Sequence, residues 1–473
     1  MGKKKTIPVK VGDRITVDID DMNHQGEGIG RYEGFAIFVP EALPEEEVEC
    51  EVISTKKNYA RALITEIKTS SKDRVSPPCP YYKDCGGCQL QHLSYEGQLK
   101  FKEKQVKENI EKIGGIDSEE YEFLPIMGMK HPWNYRNKIQ LPVRKIDNET
   151  ELGFFKKRSH NLIPVDYCMI QDERGNLVLK KVREILKKYD IPPYDETKHE
   201  GLLRHVIIRV GANSGEILIV FVTRENKFPN KKKIIKELED NVTDLVGIVH
   251  NINQKRTNVI LGDAEKTIWG RSYLKDKLGN LEFKISPAAF YQVNSFQAEK
   301  LYNKSIELAC LHNETNETNI KNKLVIDAYC GIGTIALNFA RYADEVIGME
   351  VVKEAVNDAR DNAGINNLEN KAVFWHGKVE EIIYELREHK EQEPEIVVVD
   401  PPRKGCDKDF LQALLDLKSQ KIIYVSCNPS TLARDLNLLV NSDKTKYHVK
   451  AVQPVDMFPQ SVHVETIVLI EQK

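Results

Sequence analysis

Cys427 closes the run Ile422-Ile-Tyr-Val-Ser-Cys-Asn-Pro429. Four successive apolar residues stopped by Asn-Pro predict a strand buried on both faces, with the thiol at its carboxyl end. Ligands gather at that edge in open α/β sheets, so a thiol there is placed to act as a nucleophile; a buried structural cysteine is the plain alternative. Asp400-Pro-Pro-Arg-Lys-Gly405 ends the preceding strand and should lie beside the Cys427 loop, where Arg403 is expected to raise the thiolate fraction. Cys406, directly after Gly405, is the rival thiol. In Val462-His463-Val464-Glu465 an extended strand would carry His463 and Glu465 on one face. Glu465 can then serve as general base, against the alternative of a solvated edge charge.

A second constellation binds rather than reacts. Leu324-Val-Ile-Asp327-Ala-Tyr329-Cys-Gly331-Ile-Gly333-Thr334 is a strand, a glycine turn and a helix start, and Glu350 ends the next strand, where a carboxylate can accept both ribose hydroxyls. Gly331-x-Gly333-x-x-Ala336 also satisfies the loose dinucleotide fingerprint. Asp327 and Glu350 flank the loop, however, and nothing basic in it answers a pyrophosphate. S-adenosylmethionine, whose sulfonium is cationic, suits these carboxylates better. A thiol beside such a cofactor has a clear use: uracil C5 is a poor nucleophile until a thiolate adds at C6.

A third set is metal-like. Cys79, Cys85 and Cys88 form a C-x5-C-x2-C array, and Cys168 is the next cysteine along the chain. Four thiolates suit an iron–sulfur cluster or zinc equally, and Gly86-Gly87 would let backbone N–H groups approach the sulfurs. An odd total of nine cysteines, unevenly placed, argues against a secreted disulfide framework.

The elements that must carry these residues change character along the 473-residue chain. Residues 1–68 alternate in short strands with glycine turns, as a small OB-like barrel would. Residues 69–285 read as an α+β domain. A helix over 94–113 comes first, followed by a hairpin near 138–143 and 152–156; a helix over 173–189, strands 204–210 and 216–223, a helix over 230–239 and strands 246–252 and 257–262 complete it. Residues 286–473 alternate strand and helix from 324 to 440, then close with apolar runs 447–453 and 463–471: a doubly wound parallel sheet ending in an antiparallel pair. Residues 51–285 carry a net charge of +9 and residues 286–473 one of −7, which fits a polyanion-binding part joined to a catalytic one as well as ordinary solvated surface. Trp133-Asn-Tyr-Arg136-Asn-Lys138 and Lys156-Lys157-Arg158 interleave aromatic and basic groups that could hold RNA. No long apolar run appears, and Met1-Gly-Lys-Lys-Lys lacks an apolar stretch after it, so a cytoplasmic protein without membrane attachment or obligate protein partner is expected.

Two resemblances follow from these residues. Gly28-Ile-Gly-Arg-Tyr-Glu-Gly-Phe-Ala-Ile-Phe-Val-Pro40 with Ala42-Leu-Pro resembles the TRAM domain of RNA-modifying enzymes. Phe290-Tyr-Gln292-Val-Asn294, the Asp327–Thr334 loop, Glu350, Asp400-Pro-Pro-Arg-Lys-Gly, Ser426-Cys427-Asn-Pro and His463-Val-Glu465 together resemble the RNA (uracil-C5)-methyltransferases over nearly the whole chain. The resemblance implies a class I methyltransferase (Rossmann-like) domain in which Gln292, Tyr329, Glu350 and Asp400 bind S-adenosylmethionine, Cys427 is the nucleophile and Glu465 the proton acceptor. It further implies a 4Fe–4S cluster on Cys79, Cys85, Cys88 and Cys168, as in members that modify bacterial 23S ribosomal RNA. Thr334 departs from members with Asn there, and Lys378 lies where others touch the adenine. The T-loop uridine of transfer RNA is the alternative substrate, and an RNA-binding assembly factor the non-enzyme alternative.

Overall fold

The computed structural model describes residues 7–310, 323–389, 393–441 and 447–473, so the Met1-Gly-Lys-Lys-Lys stretch lies outside the described residues. It divides into two compact units: residues 1–105 with 458–463, and residues 106–457 with 464–473.

In the first unit β1 (Arg14–Met22), β2 (Glu27–Tyr32), β3 (Phe35–Pro40), β4 (Glu47–Thr55) and β5 (Tyr59–Thr69) close a barrel in the order β1-β2-β3-β5-β4. Alternation along β1 sends Ile15, Val17 and Ile19 inward to join Ile37, Val39, Val48 and Val52. Gly30 lets β2 cross β1 closely, because a Cβ there would stand 2.3 Å from the Asp18 carbonyl oxygen. Helix α1 (Tyr95–Lys112) follows. Gln98 fastens the 458–463 segment in this unit: its Oε1 accepts the Gln460 amide at 3.0 Å, and its Nε2 donates to Gln460 Oε1 at 3.0 Å.

The second unit holds β6 (Glu122–Phe123) and a seven-stranded sheet of β7 (Lys138–Ile146), β8 (Glu149–Phe155), β9 (Leu162–Pro164), β10 (Leu203–Val210), β11 (Ile217–Thr223), β12 (Leu245–Ile252) and β13 (Ala264–Gly270), in the order β13-β12-β11-β10-β7-β8-β9. Helices α2 (Glu173–Lys188) and α3 (Lys231–Asn241) share one core with it, Leu179, Val182, Leu186, Ile234 and Leu238 meeting Ile139, Leu141, Ile208, Ile219 and Phe221. The expected strand over 257–262 is a loop. Asn253 Nδ2 donates to the carbonyls of Val259 and Ile260 and Asn251 Oδ1 accepts the Gly262 amide, so side chains occupy the groups a ladder would need, and the strand forms at 264–270 instead.

A hairpin of β14 (Leu274–Leu278) and β15 (Leu281–Ile285) leads to α4 (Ser295–Cys310). Then come β16 (Leu324–Ala328), α5 (Thr334–Ala340), β17 (Glu345–Glu350), α6 (Lys353–Ile365), β18 (Ala372–His376), α7 (Val379–His389), β19 (Ile396–Val399), α8 (Lys408–Asp416), β20 (Lys421–Ser426), α9 (Pro429–Val440), β21 (Tyr447–Val455) and β22 (Glu465–Gln472). The sheet order is β18-β17-β16-β19-β20-β22-β21-β6, with β16 to β20 parallel and β22 antiparallel to both neighbours. The antiparallel pair is present, but β22 inserts between β20 and β21 and the short β6 forms the edge. Among the described residues no helix is long and apolar enough to cross a membrane.

Candidate active site

The order of this sheet reverses between β16 and β19, and a crevice at the carboxyl ends of the strands follows from such a switch point. Tyr329, Gly331 and Gly333 leave β16 with φ of 67°, 54° and 83°. Positive φ at three of five residues turns the chain sharply, and a side chain at Gly333 would be strained, since its φ is 83° and a Cβ would meet the Phe374 ring at 3.0 Å. Glu350, ending β17, accepts the Gly331 amide at 3.1 Å and the Val352 amide at 2.8 Å, which ties the acidic group to the glycine loop. Tyr329 packs edge-on against Phe410 with ring centroids 5.4 Å apart. Gln292 is buried, and its carbonyl accepts Asn137 Nδ2 at 3.0 Å.

Asp327 is fully buried in β16. One carboxyl oxygen accepts the Ala336 amide at 2.7 Å and the other has no partner. Burial, with Asp400 and Glu350 nearby, holds this carboxyl far above the usual range. Such an orphaned acceptor among carboxylates is electrostatically suited to a cationic ligand, which fits S-adenosylmethionine and disfavours a pyrophosphate.

Cys427 is the first residue past β20, and its loop is stitched to the one after β19: Asn428 Nδ2 donates to the Arg403 carbonyl at 3.2 Å and Thr431 Oγ1 to the same oxygen at 3.3 Å. Antiparallel pairing matches Ser426 with Thr466, so one step further Cys427 comes opposite Glu465, the first residue of β22. Glu465 is 4 % exposed and its Oε2 has no partner. Burial and the neighbouring Asp400 push it well above the ordinary carboxylate range, partly opposed by Arg403. Desolvation pushes half-buried Asp400 itself up to about 7.

The expected activation of Cys427 is corrected by this environment. Arg403 does favour the thiolate, but burial, Glu465 and Asp400 outweigh it and push the thiol up to about 11. His463 does not share a strand face with Glu465: it precedes β22, is exposed, and sets its ring edge-on to Phe458. Cys406 is buried; its amide donates to Asp435 Oδ2 at 2.8 Å, its sulfur lies 3.4 Å from the Tyr424 hydroxyl, and burial pushes it up to about 12. Such a thiol is structural rather than reactive.

Lys378 is exposed and pairs with Glu381 at 3.0 Å, while Thr334 Oγ1 lies 3.3 Å from the Tyr302 hydroxyl. Tyr302 went unread in the sequence. It sits on α4, fully buried in the field of Asp400, Asp327 and Glu465, and the apolar spacing of Ala298, Leu301, Tyr302 and Ile306 was the available signal. Phe290, part of the sequence motif but given no role there, presents a ring 67 % exposed two residues before Gln292. Cys79, Cys85 and Cys88 share one loop of turns in the first unit, where the Gly87 amide approaches Cys85 Sγ at 3.4 Å; Cys168 belongs to the second unit. Soft thiols with an N–H directed at sulfur suit an iron–sulfur or zinc group chemically, although among the described residues no three His, Cys, Asp or Glu side chains gather closely enough to hold a metal ion.

Comparison with known proteins agrees with this arrangement. Residues 94–473 match the model of the tRNA (Uracil-5-)-methyltransferase family, and residues 8–65 match the TRAM domain. The chain is 45 % identical over 468 residues to an uncharacterized RNA methyltransferase of Oceanobacillus iheyensis, covering 99 % of this chain and 98 % of that one. It is 43 % identical over 470 residues to one of Halalkalibacterium halodurans, covering 99 % of both. Among solved structures it is similar to the Pyrococcus abyssi tRNA (uracil-54, C5)-methyltransferase in complex with S-adenosyl-L-homocysteine, with a TM-score of 0.75, 27 % identity, and coverage of 96 % of this chain and 99 % of that one. A catalytic sheet with a thiol opposite a buried carboxylate, preceded by a TRAM barrel, is thus that of an S-adenosylmethionine-dependent RNA methyltransferase, and the chain belongs to the tRNA (uracil-5-)-methyltransferase family.

Proposed function

We propose that the protein methylates C5 of a uridine in 23S ribosomal RNA through a covalent adduct at Cys427. The observation that carries the chemistry is the β20/β22 register, which sets the Cys427 thiol opposite a buried carboxylate with a free oxygen. Cys427 Sγ, as thiolate, adds to C6 of the uracil, and the displaced electron pair makes C5 nucleophilic. S-adenosylmethionine, when bound, supplies an electrophilic methyl group. Glu465 then takes the C5 proton, the C5–H electrons reform the C5–C6 double bond, and the S–C6 bond breaks to return the thiolate. Glu465 must be ionised for this step, and a cationic ligand beside the carboxylates favours that form. Glu350 would hold the ribose hydroxyls, and Gln292, Tyr329 and Asp400 would complete the cofactor site.

The ribosomal substrate rests on the TRAM match together with the four cysteines, which resemble the 23S-modifying members; the solved relative acting on tRNA supports the T-loop uridine as second reading. Cys79, Cys85, Cys88 and Cys168 would hold the 4Fe–4S cluster, with zinc as the alternative metal. Iron and acid-labile sulfide in anaerobically purified protein test this, and stoichiometric zinc without iron would overturn it. Methyl-labelled cofactor incubated with unmodified 23S RNA and bulk tRNA in parallel tests the substrate: label as 5-methyluridine in 23S fragments is expected, and label in tRNA alone would reassign it.

A further inference from the structure

The chemistry proposed above leaves one basic cluster unused. In the β7/β10 ladder Lys138 lies opposite Arg209, and Arg136 precedes it by two residues. The neighbouring positions Ile139 and Ile208 join the core shared with α2 and α3, so alternation places Lys138 and Arg209 on the other face of the seven-stranded sheet. Both guanidinium groups are already engaged. Arg209 donates to the carbonyls of Pro287 and Ala289, and Arg136 Nε donates to the Lys138 carbonyl at 3.1 Å. Among the described residues the Lys138 ammonium has no hydrogen-bond acceptor, and no carboxylate pairs with any of the three.

This cluster borders the segment that carries Gln292. Arg209 holds its carbonyls at 287 and 289, the Asn137 amide donates to the Val293 carbonyl at 2.8 Å, and Asn137 Nδ2 donates to the Gln292 carbonyl at 3.0 Å. Phe290, with its exposed ring, lies between those anchors. A half-buried cation between two others and without a counter-ion is unfavourable in the free protein, and burial with Arg209 and Arg136 pushes Lys138 down to about 7. An arriving anion removes that penalty, and in an RNA enzyme the anion at hand is the backbone phosphate.

We propose that Lys138 binds an RNA backbone phosphate beside the target uridine, with Arg136 and Arg209 adding to the positive field that draws it in. The proposal rests on the RNA-methyltransferase reading and assigns one contact within it. Lys138→Met and Lys138→Gln remove the charge, and Lys138→Arg keeps it. RNA affinity is measured with full-length protein across about 50 to 200 mM salt, alongside S-adenosylmethionine affinity and thermal melting. Losing one phosphate contact lowers the log–log salt slope by about 0.7 to 0.9, so the neutral variants lose roughly threefold less affinity over that range than the wild type. Lys138→Arg should retain the wild-type slope, cofactor affinity should be unchanged in all variants, and melting should be unchanged or raised in the neutral ones. Neutral variants with the wild-type slope and RNA affinity would overturn the proposal, as would a slope that falls equally in Lys138→Arg. Should the wild type bind RNA but transfer no methyl group, the catalytic reading fails while the slope comparison still decides the phosphate contact.

Discussion

Replacing Glu465 by Gln separates the two halves of the proposed reaction. The amide keeps the carboxylate's shape but cannot accept the C5 proton, and a general base contributes about 10²- to 10⁴-fold to rate. The same change acts oppositely on the first half. Burial, Glu465 and Asp400 together take Cys427 from an ordinary value of 9.0 to about 11, leaving roughly a hundredth of the thiolate that an unperturbed cysteine would have. Burial is the largest of those causes and stays, so removing the Glu465 charge recovers only part of the hundredfold. Adduct formation should therefore be as fast as in the wild type or faster, while turnover falls by about 10²- to 10⁴-fold. The expected product is a methylated protein–RNA conjugate that survives denaturing electrophoresis under single-turnover conditions and builds up to nearly one per enzyme. A Glu465→Gln enzyme that turns over within tenfold of the wild type, or loses turnover without accumulating conjugate, would refute the assignment of Glu465 as proton acceptor.

Other outcomes follow from the same geometry. Cys427→Ala should abolish methyl transfer while preserving cofactor binding. Cys406→Ser, altering a buried thiol near Tyr424, should leave the chemical rate within a few-fold and cost stability instead, which melting and single-turnover assays together would show. Gly333→Ala places a Cβ 3.0 Å from the Phe374 ring at a φ of 83°, so calorimetry should show S-adenosylmethionine affinity reduced at least tenfold. Asp327 stays protonated in the folded protein at pH values where the unfolded chain has released the proton, so its stabilising share is present below the unfolded pKa and lost as pH rises toward the folded one. Asp327→Asn removes that loss, and its melting temperature relative to the wild type should climb as pH rises above the ordinary carboxylate value of 3.8; a difference independent of pH would contradict the burial argument.

The catalytic half was legible in the sequence because each chemical residue ends an apolar run. Tyr329, Glu350, Asp400 and Cys427 all sit at or just past the end of a parallel strand, and continuous Val and Ile runs mark such strands plainly. Long-range register was not legible. Nothing local told that β22 would insert beside β20, and that insertion is what faces Glu465 to Cys427 while leaving His463 outside the strand. The sign at Cys427 was missed for the same reason: Arg403 is a sequence neighbour of Asp400, whereas the burial and the Glu465 charge that outweigh it come from distant residues. At 257–262 an apolar pattern was overridden by Asn251 and Asn253, whose side chains capture the backbone groups a strand would have paired.

The most direct test of the central claim is to trap the nucleophile. RNA carrying 5-fluorouridine has no C5 proton to lose, so the reaction should halt after methyl transfer, with the enzyme still joined to C6. Nuclease and protease digestion followed by mass spectrometry should then find a methylated fluorouracil nucleotide on the peptide that contains Cys427, with none formed by Cys427→Ala. Modification at Cys406 or any other residue, or methyl transfer to uridine RNA that persists in Cys427→Ala, would contradict it.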